Sequence, residues 1–347
     1  MTQARVRAPK ILGIATCVPA RRFDNVADTT EFTAEEVRKV VGMAGVAARR
    51  VVGGDTCSSD LCFGAAEKLL DDLGIDRSTI DVLIMATQTP DYLMPSSSCL
   101  LQQRLGLPTS CAAFDLNLGC SAYVYGLWLA ASLLTAAPYR RLLVLDGETP
   151  TRYAHRADRS VALLFGDAGS ATLLERREAG DETPDWSFVL HTDGAGADDL
   201  IIRAGGFRDR FCADTRQHYV SMNGSGVSTF PIRVIPPLVR DTLELAGVGK
   251  DDVDCFVFHQ SNRFIMNHLV KKLALAPERA PVILEEFGNT GGPSVPLTIT
   301  QSGFARPADR AARLMLPGYG VGLSWGSALV DIEPGCRIAH TEWPAHG

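Results

Sequence analysis

Short apolar runs alternate with segments of helical periodicity along this chain. "DVLIMAT" (81–87) reads as a buried strand, "SCLLQQRLGL" (98–107) as a helix, and "CAAFDLNL" (111–118) as a second strand. Within 113–134, "AFDLNLGCSAYVYGLWLAASLL", the pattern is a short strand, a Gly-Cys corner and a long helix apolar on every side. Such alternation predicts an α/β protein whose strands are covered on both faces. A further helix opens at "FTAEEVRKV", where Thr33 and Glu36 have the spacing of a capping box. The breaker-rich "EAGDETPD" (178–185) is the best linker candidate.

The chain also echoes itself. "GIDRSTIDVLIMA" (74–86) and "GVGKDDVDCFVFH" (247–259) share a glycine, polar positions, an aspartate and an apolar strand at an offset of 173 residues. "GSATLLE" (169–175) and "GSALVDI" (326–332) repeat in the same order at an offset of 157. That period is too long for a solenoid. Two duplicated α/β halves are expected, 1–180 and 181–347, with the boundary near 176–190; chance similarity of strand-helix units is the plainer alternative. Under duplication, the corner at Cys120 corresponds to "EFGNTGGPSVPLTI" (286–299), another glycine-rich corner opening a helix. Around a pseudo-twofold axis, the two corners would face each other at the carboxyl ends of strands, where open α/β sheets place ligands.

Composition narrows the class. The 347 residues are 46% hydrophobic and carry a formal charge of -6, which argues against a nucleic-acid binder. No apolar run reaches the roughly 18 residues of a membrane span, and "MTQARVRAPK" lacks the apolar core of a signal peptide. The nine cysteines form no C-x-x-C pair and no zinc-spaced cluster. A cytoplasmic protein with no metal is expected, without nucleic-acid or membrane partners, most of its cysteines serving as small buried hydrophobes.

Cys120 stands apart from the other cysteines. At a helix N-terminus it would face unpaired backbone N–H groups and the positive end of the helix dipole, which lowers a thiol pKa; a merely structural cysteine would sit equally well in mid-helix. His259 ends the strand "CFVF", where a hydrogen-bonded surface histidine is the ordinary case, and Asn289 between Gly288 and Thr290 has the setting of a turn former. Together the three make a site in which a thiolate is acylated beside two neutral donors.

With those residues in view, the whole chain resembles the β-ketoacyl-acyl carrier protein synthase III family of the thiolase superfamily. The resemblance rests on "LGCSA" around Cys120, "HQSNRF" from His259, "GNTGGPSVP" around Asn289, "FGDAGSA" (165–171) and "GYGVGLSWGSALV" (318–330). A Cys-His-Asn protease is the rival triad, but its local signatures are absent. The resemblance implies a thiolase-like fold of five layers, αβαβα, and a homodimer. It implies that Cys120 takes an acyl group from acyl-CoA or an acyl carrier protein (ACP), with no cofactor. His259 and Asn289 would then hold the thioester carbonyl of a malonyl group as it loses CO2 and attacks the acyl-cysteine. The backbone N–H groups of Cys120 and Val321 would form an oxyanion hole. Acyl transfer from Cys120 to an oxygen, nitrogen or sulfur acceptor, without condensation, is the alternative reaction.

Residues around the site follow from the same resemblance. Arg152 fits the arginine of the family's adenine clamp, but the clamp's tryptophan falls near Lys39 and a second arginine becomes Met43. That departure points away from a standard acetyl-CoA primer. Met94, with Leu93 and Tyr92, occupies the family's acyl-pocket position, usually reached across a dimer interface; Tyr123 and Phe258 are further candidate substrate contacts. Arg263, Lys271 and Lys272 are the expected docking residues for an acidic carrier protein, while other family basic positions map onto Thr229 and Phe264. Core packing, or a solvated helix face, is the alternative for each.

Overall fold

The computed structural model describes residues 2–344 apart from 179, 182 and 305. Its strands are β1 (Thr2–Val6), β2 (Lys10–Pro19), β3 (Arg22–Asp24), β4 (Ala48–Arg50), β5 (Val82–Ala86), β6 (Ala112–Leu116), β7 (Arg141–Glu148), β8 (Ala168–Glu175), β9 (Trp186–Thr192), β10 (Leu200–Ile201), β11 (Ser221–Met222), β12 (Cys255–Phe256), β13 (Ala312–Gly320), β14 (Ser324–Ile332) and β15 (Arg337–Trp343). Its helices are α1 (Ala34–Ala44), α2 (Ser58–Leu73), α3 (Ser97–Arg104), α4 (Ala122–Ala136), α5 (Gly224–Ala246), α6 (Arg263–Lys272), α7 (Leu284–Phe287) and α8 (Ser294–Gln301). The expected capping box opens α1: Glu36 N–H donates to Thr33 Oγ1 at 3.3 Å and Thr33 N–H donates to Glu36 Oε2 at 3.0 Å.

Two sheets carry the fold, one ordered β15-β2-β8-β7-β5-β6 and the other β1-β9-β14-β13-β12. Four consecutive strands of each match in order and direction. β2-β8-β7-β5 corresponds to β9-β14-β13-β12, with the first three strands antiparallel and the fourth parallel to its neighbour in both sheets. Both sequence echoes fall on corresponding strands, β5 with β12 and β8 with β14. A division at 180/181 lies between β8 and β9, and the terminal strands cross it in opposite directions: β1 pairs with β9, and β15 pairs with β2. The candidate linker at 178–185 joins β8 to β9, its residues 179 and 182 being outside the described set.

Helices occupy three layers around these sheets. α2 and α3 cover the outer face of the first sheet, and α5, with α6 packed beside it, that of the second. Between the sheets lies α4, whose Tyr123, Val124, Leu127 and Leu134 pack with Ile14 and Val144 of one sheet and Phe188 and Leu316 of the other. A helix packed between two sheets has little polar face to present, which is why α4 is largely apolar, its polar Ser132 and Thr135 falling on the half-buried and exposed positions near its end. Each Leu or Val so buried contributes about 1.5–3 kcal/mol. Among the described residues, no helix is long and apolar enough to cross a membrane.

The layers place the two glycine-rich corners opposite one another. Asn289 and Phe165 form a parallel bridge; Asn289 N–H donates to Leu164 carbonyl at 2.9 Å and Gly166 N–H to Asn289 carbonyl at 3.1 Å. A Cβ at Gly166 would overlap the Phe287 carbonyl, so this bridge requires a residue without one. Gly166→Ala is expected to lower stability by about 1–3 kcal/mol, as overpacking does, measured by denaturant unfolding; unchanged stability would show that the bridge relaxes freely.

Candidate active site

Cys120 precedes the first turn of α4, with Ser121 as the helix cap. β13 passes close beside it: a Cβ at Gly320 would lie 2.6 Å from Cys120 Cβ and 2.8 Å from its Sγ, so a side chain there would displace the sulfur. The Cys120 and Val321 N–H groups both lie at the sulfur, where they favour its anion.

His259 follows β12, its N–H donating to Pro317 carbonyl of β13 at 2.9 Å. Its Nδ1 lies 2.8 Å from Ser294 Oγ and 3.2 Å from Gly291 carbonyl. These contacts favour opposite tautomers. Ser294 Oγ also accepts Gln260 N–H at 3.3 Å and keeps its own proton to donate to the nearer Nδ1. Taking that shorter contact as the one that sets the tautomer, we assign the ring proton to Nε2. Burial holds this imidazole neutral, lowering its pKa to about 4. Asn289 Oδ1 accepts Gly291 N–H at 2.9 Å, leaving Nδ2 as the donor end of the amide.

Cys120, His259 and Asn289 line one cavity of about 310 Å³, together with Gln88, Asn117, Glu148 and Val321. Leu200, Ile201, Val220, Met222, Val227 and Phe230 form its apolar wall. The cavity thus joins a sulfur to two neutral N–H donors in largely apolar surroundings, where an oxyanion gains most from fixed donors.

One expectation is corrected. The thiol of Cys120 is not lowered but pushed up to about 12, by burial first and then by the charge of Glu148. The two N–H groups act in the expected direction and are outweighed. Although Cys120 keeps some surface open to the cavity, protein surrounds its sulfur closely enough to disfavour an anion, and the resting group is a thiol.

Two proposed substrate contacts are also corrected. Tyr123 is buried in the central core, its hydroxyl 2.9 Å from Thr172 Oγ1, and Phe258 is fully buried and stacked on Phe256. Neither lines the cavity, because the apolar helix between the two sheets and the segment that follows edge strand β12 turn these rings into the core. Leu93 and Met94 lie exposed on the surface, 59% and 76% accessible, and are not among the described residues that line the cavity. Arg152 lies outside the cavity wall, donating to the Gly54 and Thr56 carbonyls at 2.8 and 2.7 Å. Arg263 reaches Gly45 carbonyl at 3.4 Å and Glu285 at 3.9 Å, while Lys271 and Lys272 are exposed in the last turn of α6.

Sequence reasoning passed over Ser294, Glu148, Gln88 and Asn117. For Glu148 a signal existed: in "RLLVLDGE" two carboxylates, 146 and 148, end an otherwise apolar strand. Among the described residues, no group of three His, Cys, Asp or Glu side chains could hold a metal ion.

The chain is similar to known proteins along most of its length. Residues 114–197 match the family described as 3-oxoacyl-[acyl-carrier-protein (ACP)] synthase III, and residues 243–332 match its C-terminal counterpart. The chain is 36% identical over 326 residues to the beta-ketoacyl-[acyl-carrier-protein] synthase III of Alkalilimnicola ehrlichii, covering 92% of this chain and 98% of that one. It superposes on the crystal structure of a 3-oxoacyl-(acyl-carrier protein) synthase from Burkholderia xenovorans LB400 with a TM-score of 0.93 and 39% identity, covering 99% of both chains. The priming β-ketosynthase of the R1128 polyketide pathway gives a TM-score of 0.81 at 27% identity, covering 96% of this chain and 99% of that one.

The tautomer can be read directly. In Ser294→Ala the ring proton is expected to move to Nδ1, bonded to the Gly291 carbonyl, and ¹⁵N-histidine NMR should report the exchange. Retention of the Nε2–H form in that variant would contradict the assigned network.

Proposed function

This chain belongs to the 3-oxoacyl-[acyl-carrier-protein] synthase III family, and we propose that its chemistry runs through Cys120, His259 and Asn289. The enzyme is an acyltransferase of the condensing kind, joining an acyl group to a malonyl-derived unit with loss of CO2. The observation that supports these three residues is their meeting in one cavity, with the Nε2–H of His259 and the amide of Asn289 left as donors. In the first half-reaction, Cys120 Sγ attacks the acyl thioester, the oxyanion accepts the Cys120 and Val321 N–H groups, and the donor thiol departs. In the second, a malonyl thioester loses CO2 while its carbonyl oxygen accepts the two side-chain donors. The resulting carbon nucleophile attacks the acyl-cysteine, Cys120 leaves, and one solvent proton restores the thiol.

Neutral donors suit this task. A permanently charged group would hold the malonyl carboxylate as tightly as the enolate, whereas only interactions stronger in the transition state accelerate the step. The apolar wall from Leu200 to Phe230 takes the aliphatic part of the thioester substrate.

CoA and acyl carrier protein thioesters are the substrates, with Lys271, Lys272 and Arg263 as the carrier-docking residues and Arg152 a contact for the CoA end. We infer a homodimer in which the exposed Tyr92, Leu93 and Met94 are covered by a second copy; three adjacent large apolar side chains in solvent support that reading. The unpaired cysteines among the described residues fit a reducing, cytoplasmic setting, and a division into halves at 1–180 and 181–347 fits the matched strand orders.

Cys120→Ala is expected to form no acyl-enzyme by intact-protein mass spectrometry. Asn289→Ala should acylate at close to the native rate yet lose about 10²- to 10³-fold in CO2 release from a malonyl thioester. Equal loss of both half-reactions would refute the assigned division, and acyl-cysteine formation without CO2 release in the native enzyme would favour simple acyl transfer. Reversing Lys271 and Lys272 to Glu should raise KM for a carrier-bound substrate more than for a small thioester; an unchanged ratio removes them from the docking surface.

A further inference from the structure

A thiol held near 12 needs somewhere to send its proton when it attacks, and the two N–H groups at the sulfur cannot accept one. His259 cannot serve either, since its Nδ1 takes the Ser294 hydroxyl and its Nε2 already carries a proton. Among the described residues lining the cavity, Glu148 alone bears a carboxyl group. We propose that Glu148 accepts the proton of Cys120 as the sulfur attacks the acyl thioester, and hands it to the departing thiol. The proposal rests on the reading of Cys120 as the acylated residue.

The carboxyl group is built into place rather than left loose. Glu148 ends β7 and is 2% exposed. Its Oε1 accepts Gln88 N–H at 2.7 Å and its Oε2 accepts the Thr89 hydroxyl at 2.9 Å. On its other side its stem packs on the loop that carries Asn289: a methyl at Gly291 would lie 3.1 Å from Glu148 Cγ. Each oxygen keeps a second lone pair, so the carboxylate can take a proton, directly or through one water, without losing either bond. Burial raises Glu148 to about 7, near the working range that serves a general base best.

Every titratable neighbour is worse suited. Asp146, two residues earlier and so on the same face of β7, is fully buried against Gly292 with both oxygens unpartnered, and burial beside Glu148 keeps it protonated. Asp167 is committed to Val52 N–H and the Thr151 backbone and hydroxyl. Tyr153 and Tyr319 are held protonated by burial, as is Cys62 on α2. Glu148 is left as the carboxyl group that both lines the cavity and can take up the proton. In the acylation, the S–H bond breaks and an O–H bond forms on Glu148 as sulfur bonds to the acyl carbon. When the tetrahedral centre collapses, the donor C–S bond breaks and the donor sulfur takes that proton. No oxidant or other reactant is needed.

The same geometry offers a rival outcome of opposite sign. If Glu148 were only a negative charge beside the sulfur, removing it would lower the thiol pKa and speed reaction. The test is the rate of Cys120 alkylation by iodoacetamide, from about pH 5.5 to 9, in the full-length native enzyme, Glu148→Gln and Glu148→Asp, with the labelled site identified by peptide mass spectrometry. Native enzyme should show a limb rising near pH 7, as Glu148 ionises. Glu148→Gln should lose that limb and react at least about tenfold more slowly at pH 8, while Glu148→Asp keeps a limb. Alkylation of Glu148→Gln as fast as native, or faster, overturns the proposal. Should the glutamine variant fail to fold, a native profile without a limb between about pH 6 and 8 also overturns it. Native enzyme that neither alkylates nor acylates at Cys120 overturns the underlying reading of the sulfur itself.

Discussion

Exclusion of water from the space between two half-sheets is the constraint on which this site depends. The same desolvation lowers His259, raises Glu148 and raises Cys120. Of a neutral imidazole, a carboxyl group titrating near neutrality and a resting thiol, only the carboxyl group changes its charge near ordinary pH. In water the same three side chains would be a partly charged histidine, a fully ionised glutamate and a more acidic thiol. The helix-end dipole at α4 is real in direction, but burial near the sulfur is the larger effect, and it transfers the task of activation to a proton acceptor.

Doubling of the chain is what assembles these groups. One corner, at the start of α4, supplies the sulfur; the other, between α7 and α8, supplies the amide; and the end of β12 supplies the imidazole. β13 links them, since its Pro317 carbonyl holds the His259 backbone and its Gly320 lies against Cys120. The parallel bridge between Phe165 and Asn289 joins the halves directly at the site. Because β1 and β15 each complete the sheet of the opposite half, the halves cannot separate without breaking both sheets, and the site between them is fixed by backbone pairing rather than by side-chain packing alone.

Much of this was legible in the sequence. Strand-helix alternation and the two echoes read correctly onto β5/β12 and β8/β14, and the Thr33–Glu36 box opens its helix. Motif resemblance indicated the three residues that meet in the cavity. What escaped was set by three-dimensional environment. The direction of the thiol shift depends on how much protein surrounds the sulfur and on a carboxylate 28 positions away in sequence, neither visible in a helix-start pattern. Tyr123 and Phe258 adjoin catalytic positions in sequence, yet their backbones aim them into the core. Exchange of the terminal strands left no periodic signal, and Ser294 is an unremarkable serine until its hydroxyl is seen to orient an imidazole.

Stoichiometry on the native enzyme tests the central claim most directly. After loading with one acyl thioester and removal of excess, addition of a malonyl thioester should discharge the acyl mass from Cys120 with one CO2 released for each acyl group lost. Acyl-cysteine that persists while CO2 is released, or an acyl mass found on any other residue, would contradict the account.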